Sequence, residues 1–187
     1  VRSSFTGPRT QSLAPQTGET PMMIVRLAKI AMTAGLAAFA FIVTYDNLID
    51  YDSNYEFVKH VLSMDTTFPG NKLMGRAITD PALWTLGYAL IIAGEAVTFV
   101  LLATGVVAML RARHATAAAF QRAKAWIVAG VAVGFAVWFV GFMVVGGEYF
   151  AMWQSRAWNG QEAAFRFYIT LLAVLIFVNQ PDGEVSQ

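Results

Sequence analysis

Cysteine is absent from the 187 residues, which excludes disulfides, thiolate nucleophiles and cysteine-held iron–sulfur clusters. Charge is scarce as well: Asp, Glu, Lys and Arg make up 13% of the chain, about half the share of a soluble domain. The two signs nearly cancel, leaving a net +1, so the basic field on which nucleic-acid binding depends is missing. No glycine-rich phosphate loop, nucleophile elbow or Ser-His-Asp set occurs, and the sequence offers no catalytic residue. What it has in abundance is apolar surface. Hydrophobic residues account for 57%, and the mean hydropathy is +0.53. This composition predicts an integral membrane protein embedded in a lipid bilayer.

Four apolar runs are each about as long as the 20 residues a bilayer crossing requires: 24–45, 81–110, 125–147 and 160–178. The fold they predict is all-α, a polytopic four-transmembrane-helix bundle over 23–180. Span two opens with Thr79-Asp80-Pro81, where Asp80 caps the first turn and Pro81 occupies a position whose N–H is not needed. Span four follows Asn159-Gly-Gln-Glu162, which reads as a capping box with Asn159 as N-cap. Residues 1–22 are rich in Ser, Thr, Gln, Gly and Pro and are expected to be a disordered cytoplasmic tail; Met22 and Met23 offer a translation start just after it. Residues 181–187 are expected as a short cytoplasmic tail. Span one is read as an uncleaved anchor rather than a signal peptide, because its only Ala-x-Ala, Ala38 to Ala40, lies inside the apolar run.

Charge orients the spans. Arg111, Arg113, Arg122 and Lys124 lie between spans two and three with no acid among them, which places that loop, and with it both termini, in the cytoplasm. The first loop carries Asp46, Asp50, Asp52, Glu56, Asp65 and Asp80 against Lys59, Lys72 and Arg76, and faces the exterior. Within it Phe57, Val61 and Met64 fall at helical spacing, with Val58 and Leu62 beside them, predicting a short amphipathic helix in a structured exterior loop. His60 and His114 then lie on opposite sides of the membrane, so they cannot jointly ligate a haem, and neither has a second ligand at helical spacing. No metal or cofactor site is expected.

Glu95 is the most informative residue. It sits near the middle of span two, about 16 residues or roughly 24 Å from Arg111, where a bare carboxylate costs at least about 2.5 kcal/mol. It must face other helices and be neutralised or paired. Arg166, about 13 residues before Asn179 in span four, lies at similar depth and is its expected partner; Glu162, four residues before Arg166, is the rival for the guanidinium. A second cluster, Glu148 to Asn159, contains Trp153, Gln154, Ser155 and Trp158, and makes either an exterior mouth for a headgroup, quinone or partner, or an aromatic belt. Gly130 and Gly134 permit close helix approach, within the chain or in a dimer.

The chain resembles a bacterial family of predicted small integral membrane proteins, catalogued as domain of unknown function 2165. The resemblance spans about Met23 to Glu184. It is carried by Asn47-Leu-Ile-Asp-Tyr51, Met64-Asp-Thr66, Tyr88 to Glu95, and Glu148 to Asn159 continuing through Gly160-Gln-Glu-Ala-Ala-Phe-Arg166; Ile49 stands where the family pattern has threonine. It implies four helices in a bacterial inner membrane and no particular activity. Three functions follow from the sequence: first, a non-catalytic accessory or assembly subunit of a larger membrane complex, with other membrane subunits as partners; second, a small proton-linked transporter using Glu95 and Arg166; third, a quinone- or lipid-binding redox accessory protein.

Overall fold

A computed structural model of the chain describes residues 19–185. The tail expected over 1–22 therefore lies mostly outside the described residues, and α1 (Glu19–Ile49) begins before its expected end. The helices that follow are α2 (Tyr51–Ser63), α3 (Pro81–Ala112), α4 (Ala117–Ala123), α5 (Ala125–Phe135) and α6 (Gln161–Asn179), and a π-helical segment, Ala136–Tyr149, prolongs α5. No strand occurs among the described residues.

Four stretches are long and apolar enough to cross a membrane: Met22–Ile49, Pro81–Ala112, Ala117–Tyr149 and Gln161–Asn179. The second, at 32 residues, runs about 48 Å, against a hydrocarbon core of about 30 Å, so its extra turns tilt or project beyond the apolar slab. Its start is as the sequence predicts: Asp80 accepts a hydrogen bond from Ala82 N at 2.9 Å and Pro81 is the first helical residue. The start of α6 corrects the expected capping box. Gly160, not Asn159, is the N-cap, and Asn159 Oδ1 accepts from Gln161 N at 3.1 Å in a local turn. Glu162 does not reach back to the cap because its carboxylate is held by Arg166.

α3 runs through the middle of the bundle and packs chiefly on α1 and α5. The core contains Leu102, Met109, Ile127, Trp138, Leu171 and Val178, all essentially buried. Phe39 lies 4.8 Å from Phe167 and 5.7 Å from Trp138 between ring centroids, an aromatic knot joining α1, α6 and the π-helical segment. Gly134 belongs to the close approach: a Cβ there would stand 2.7 Å from Leu171 Cδ1 and 3.0 Å from Trp138 Cζ3. The Gly130 and Gly134 pair is thus used within the chain, against α3 and α6.

The loop between the first two spans is structured. Val58, Val61 and Met64 are buried, and Met64 ends α2 in the left-handed region at φ 55°. Val61 and Met64 form a second core with Phe150, Ala151 and Met152, while Phe57 and Leu62 pack against it. Ile78 N donates to Leu62 O at 2.8 Å and Trp84 Nε1 to Ile78 O at 2.8 Å, which ties the loop to α2 and to the start of α3.

At the opposite end, the basic residues are not all solvated. Arg26, Lys29 and Lys124 are buried. Arg26 donates to the carbonyls of Arg113, Ala115 and Gly183 at 2.9, 2.7 and 2.9 Å and lies over the Phe120 ring. Lys29 and Lys124 share the Asp182 carboxylate and the Gln180 carbonyl, so the segment after α6 is strapped to the starts of α1 and α5. The start of α1, the α3–α4 loop and the end of the described chain therefore meet at one end of the bundle.

Candidate functional site

Tyr88 and Glu95 are seven residues apart on α3, two turns, and so share one face. That face meets the last turn of α1, which carries Asn47. The chain bends at Asp50 and re-enters helix at Tyr51, bringing Asn54 back over Asn47. The resulting network is continuous: Asn54 Nδ2 donates to Asn47 Oδ1 at 2.7 Å, Asn47 Nδ2 donates to Glu95 Oε2 at 2.6 Å, and the Tyr88 hydroxyl donates to Asn47 O at 3.0 Å. Asn47 and Glu95 are 7% and 2% exposed, so the contact lies away from water. A carboxylate oxygen only accepts, and this fixes which way the Asn47 amide points. Among the described residues, Glu95 Oε1 accepts no hydrogen bond.

The expected Glu95 to Arg166 pairing is therefore corrected. Arg166 pairs with Glu162 one turn earlier on α6, and the two side chains are 71% and 81% exposed, on the outside of the bundle. The local partner wins because i, i+4 spacing on one helix brings the charges together without crossing the core, and the long side chains keep both heads at the surface. Glu95 has a neutral amide as its partner instead.

Glu95 lines a cavity of about 340 Å³ together with Asp46, Asn47, Asn54, Tyr88 and Trp138, at the end of the bundle that α2 covers, between α1, α2, α3, α6 and the π-helical segment. Asp46, Asn54 and Ala163 are exposed at its mouth; Glu95, Trp138 and Ala164 are buried at its base. Phe57, Val58, Ile91 and Phe142 form a wall shared with a second cavity of about 450 Å³, lined by apolar side chains and glycines such as Leu62, Leu90, Val137, Gly141, Val145 and Met152. One side of this chamber is the π-helical segment, whose last turn closes with Phe150 N to Val145 O at 3.0 Å. A π-helix is wider than an α-helix and its neighbours fit it less tightly, and such segments are frequent at functional sites.

The Glu148 to Asn159 cluster is placed at the same end but is largely taken up by the fold. Ser155 Oγ accepts from Thr66 Oγ1 at 2.8 Å and from Trp158 N at 2.9 Å. Gln154 Oε1 accepts from Phe68 N at 3.0 Å, and Trp158 stacks on His60 with ring centroids 4.6 Å apart. Glu148 and Trp153 remain exposed, the latter edge-on to Phe68. On the solvent side of α2 the hydrogen bond to Glu56 holds the Lys59 ammonium above its ordinary pKa. No group of three or more His, Asp or Glu that could hold a metal occurs among the described residues.

Asn47, Asn54 and Tyr88 were not singled out from the sequence as site residues. The available signal was the seven-residue spacing of Tyr88 and Glu95 and the polar Asn47 closing an apolar span. No curated protein and no solved structure matches the chain significantly. A family model described as "Predicted small integral membrane protein (DUF2165)" matches residues 25–181, and the chain belongs to that family.

Proposed function

We propose that this protein is a non-catalytic binding protein of the bacterial inner membrane that holds an amphipathic, lipid-like molecule, with its polar head among Glu95, Asn47, Asn54 and Tyr88 and its hydrocarbon arm in the adjoining apolar chamber. The observation that carries the reading is the shared wall: a polar cavity with a buried acid and an apolar chamber lie on either side of Phe57, Val58, Ile91 and Phe142. Binding sites for such molecules are concave and mostly apolar, with a few placed polar groups. The proton-linked transport reading needs Arg166 beside Glu95, and Arg166 is turned outward with Glu162. An accessory role in a larger complex is the setting proposed for such a binding protein, with Glu148 and Trp153 as its free exterior surface. Both termini are assigned to the cytoplasm on the strength of Arg111, Arg113, Arg122 and Lys124, which lie between spans two and three with no acid among them in sequence.

The test uses the full chain in zwitterionic lipid nanodiscs with alkyl amphiphiles that carry a photoreactive diazirine in the chain and one of three heads: quaternary ammonium, sulfate or uncharged sugar. At least one of them is expected to label Ile91, Phe142 or Val137 more strongly than Val100 and Ile176, which are 56% and 69% exposed on the outside of the bundle. Cavity labelling no greater than that of the outer positions with all three heads overturns the proposal.

A further inference from the structure

Resting on the amphiphile reading, we infer that the head which fits beside Glu95 is an organic cation, so that the ligand class is a lipophilic ammonium. The ionisable groups of the cavity that could carry charge at neutral pH are both acids. Glu95 keeps one carboxylate oxygen without a hydrogen bond, at 2% exposure, and Asp46 brings a second carboxylate to the mouth. Of the donors, the Tyr88 hydroxyl is committed to the Asn47 carbonyl, and one hydrogen each of the Asn54 and Asn47 amides to Asn47 and Glu95, so what is left to donate is neutral. No Lys, Arg or His lies among the lining residues.

Two acids with no basic neighbour offer a phosphate, sulfate or carboxylate head no counter-charge. An ammonium meets the reverse situation. Its positive charge is answered by Glu95 and Asp46, and five aromatic side chains, Tyr88, Trp138, Phe142, Phe57 and Phe167, stand in the wall beside small and aliphatic ones. Carboxylate plus aromatic faces is the chemistry by which proteins recognise quaternary and alkyl ammonium groups. The hydrocarbon arm of such a molecule has its place in the adjoining chamber, where the lining is apolar and Gly141 leaves room.

The three diazirine amphiphiles, with the same chain and different heads, decide it. Cavity labelling at Ile91 and Phe142 is divided by labelling at Val100 and Ile176, which removes differences in partition into the bilayer. The ammonium is expected to exceed the sulfate by about tenfold or more, the size of one desolvated cation–π or charge-assisted contact. In Glu95→Gln and in Asp46→Asn the ammonium ratio should fall toward that of the uncharged sugar, which itself is unchanged. Asp46 is exposed, so its variant keeps the comparison open if Glu95→Gln does not fold, and the head ranking in the natural sequence needs no variant. Equal cavity labelling by all heads, or more by the sulfate, overturns the cation assignment and leaves the amphiphile reading standing. Absence of cavity labelling with every head overturns both.

Discussion

Asp182→Asn should be among the most damaging single changes in this protein, although the residue lies beyond the last membrane span. Its carboxylate is fully buried and sits between Lys29 Nζ, at 2.9 Å, and Lys124 Nζ, whose side chains are 1% and 2% exposed. In the variant both ammoniums remain buried. Apart from the one neutral amide oxygen that replaces the carboxylate, Lys29 keeps the Gln180 carbonyl at 2.7 Å, and Lys124 keeps that carbonyl and Gln121 Oε1, both at 2.9 Å; neither keeps a counter-charge. Removing one member of a buried ion pair costs about 3 to 5 kcal/mol, because the charge left behind has lost water and partner together. By the scaling of domains of this size, 2 to 4 °C per kcal/mol, the melting temperature should fall by about 6 °C or more. The sign of a second change is also fixed. Lys124→Met leaves Asp182 with Lys29, a balanced one-to-one pair, and should cost clearly less than Asp182→Asn. Both are measured as thermal unfolding in mild detergent and in nanodiscs, with Glu162→Gln as an exposed control expected to cost no more than about 0.5 kcal/mol. An Asp182→Asn variant as stable as that control, or more stable than Lys124→Met, refutes the reasoning.

The other expectations follow from the same geometry. Arg166→Ala should shift the melting temperature by only about 1 °C, since its pair is exposed on one helix turn; a loss of several degrees would show that it serves the core after all. Asn47→Ala removes the side-chain partner of both Glu95 and Asn54, while Tyr88 keeps the residue 47 carbonyl, and should cost about 1 to 3 kcal/mol by thermal unfolding, whereas Asn159→Ala, an exposed turn, should stay below about 1 kcal/mol. Gly134→Val drives a methyl against Leu171, Trp138 and Thr98 and should cost about 1 to 3 kcal/mol, and an unchanged stability would mean that α5 and α6 are not so closely packed. Reporters near Ala117 and after Gln187 should read as cytoplasmic and one near Asn71 as exterior; the reverse assignment would overturn the orientation.

Much of the architecture is legible in the chain because the bilayer is a demanding solvent. Backbone groups in hydrocarbon must be bonded within their own segment, so long apolar runs in a cysteine-free, charge-poor chain leave little alternative to helices, and hydropathy alone locates all four. Local chemistry was equally readable where it depends on neighbours in sequence: Asp80 capping α3, the stripe of Phe57, Val61 and Met64 along α2 and its C-cap with Val58 beside it, and the pairing of Arg166 with Glu162 as the rival to the cross-bundle bridge. Depth along a helix was readable too, since it grows by a constant rise per residue, and it correctly marked Glu95 as a buried acid. Azimuth was not. Which way Glu95 and Arg166 point around their helices depends on how four cylinders pack, and that packing sends one into the bundle and the other out of it. The same holds for Asn47, which lies beside Glu95 only because α1 ends against α3, and for Asp182, which became a buried counter-ion only when the chain after α6 folded back over Lys29 and Lys124. Composition and periodicity thus determined the elements and their order, through interactions within each segment. The partners of the buried polar groups, and the cavity they enclose, were decided by contacts between residues far apart in sequence, because a desolvated charge takes whatever compensating group the packed helices bring to it.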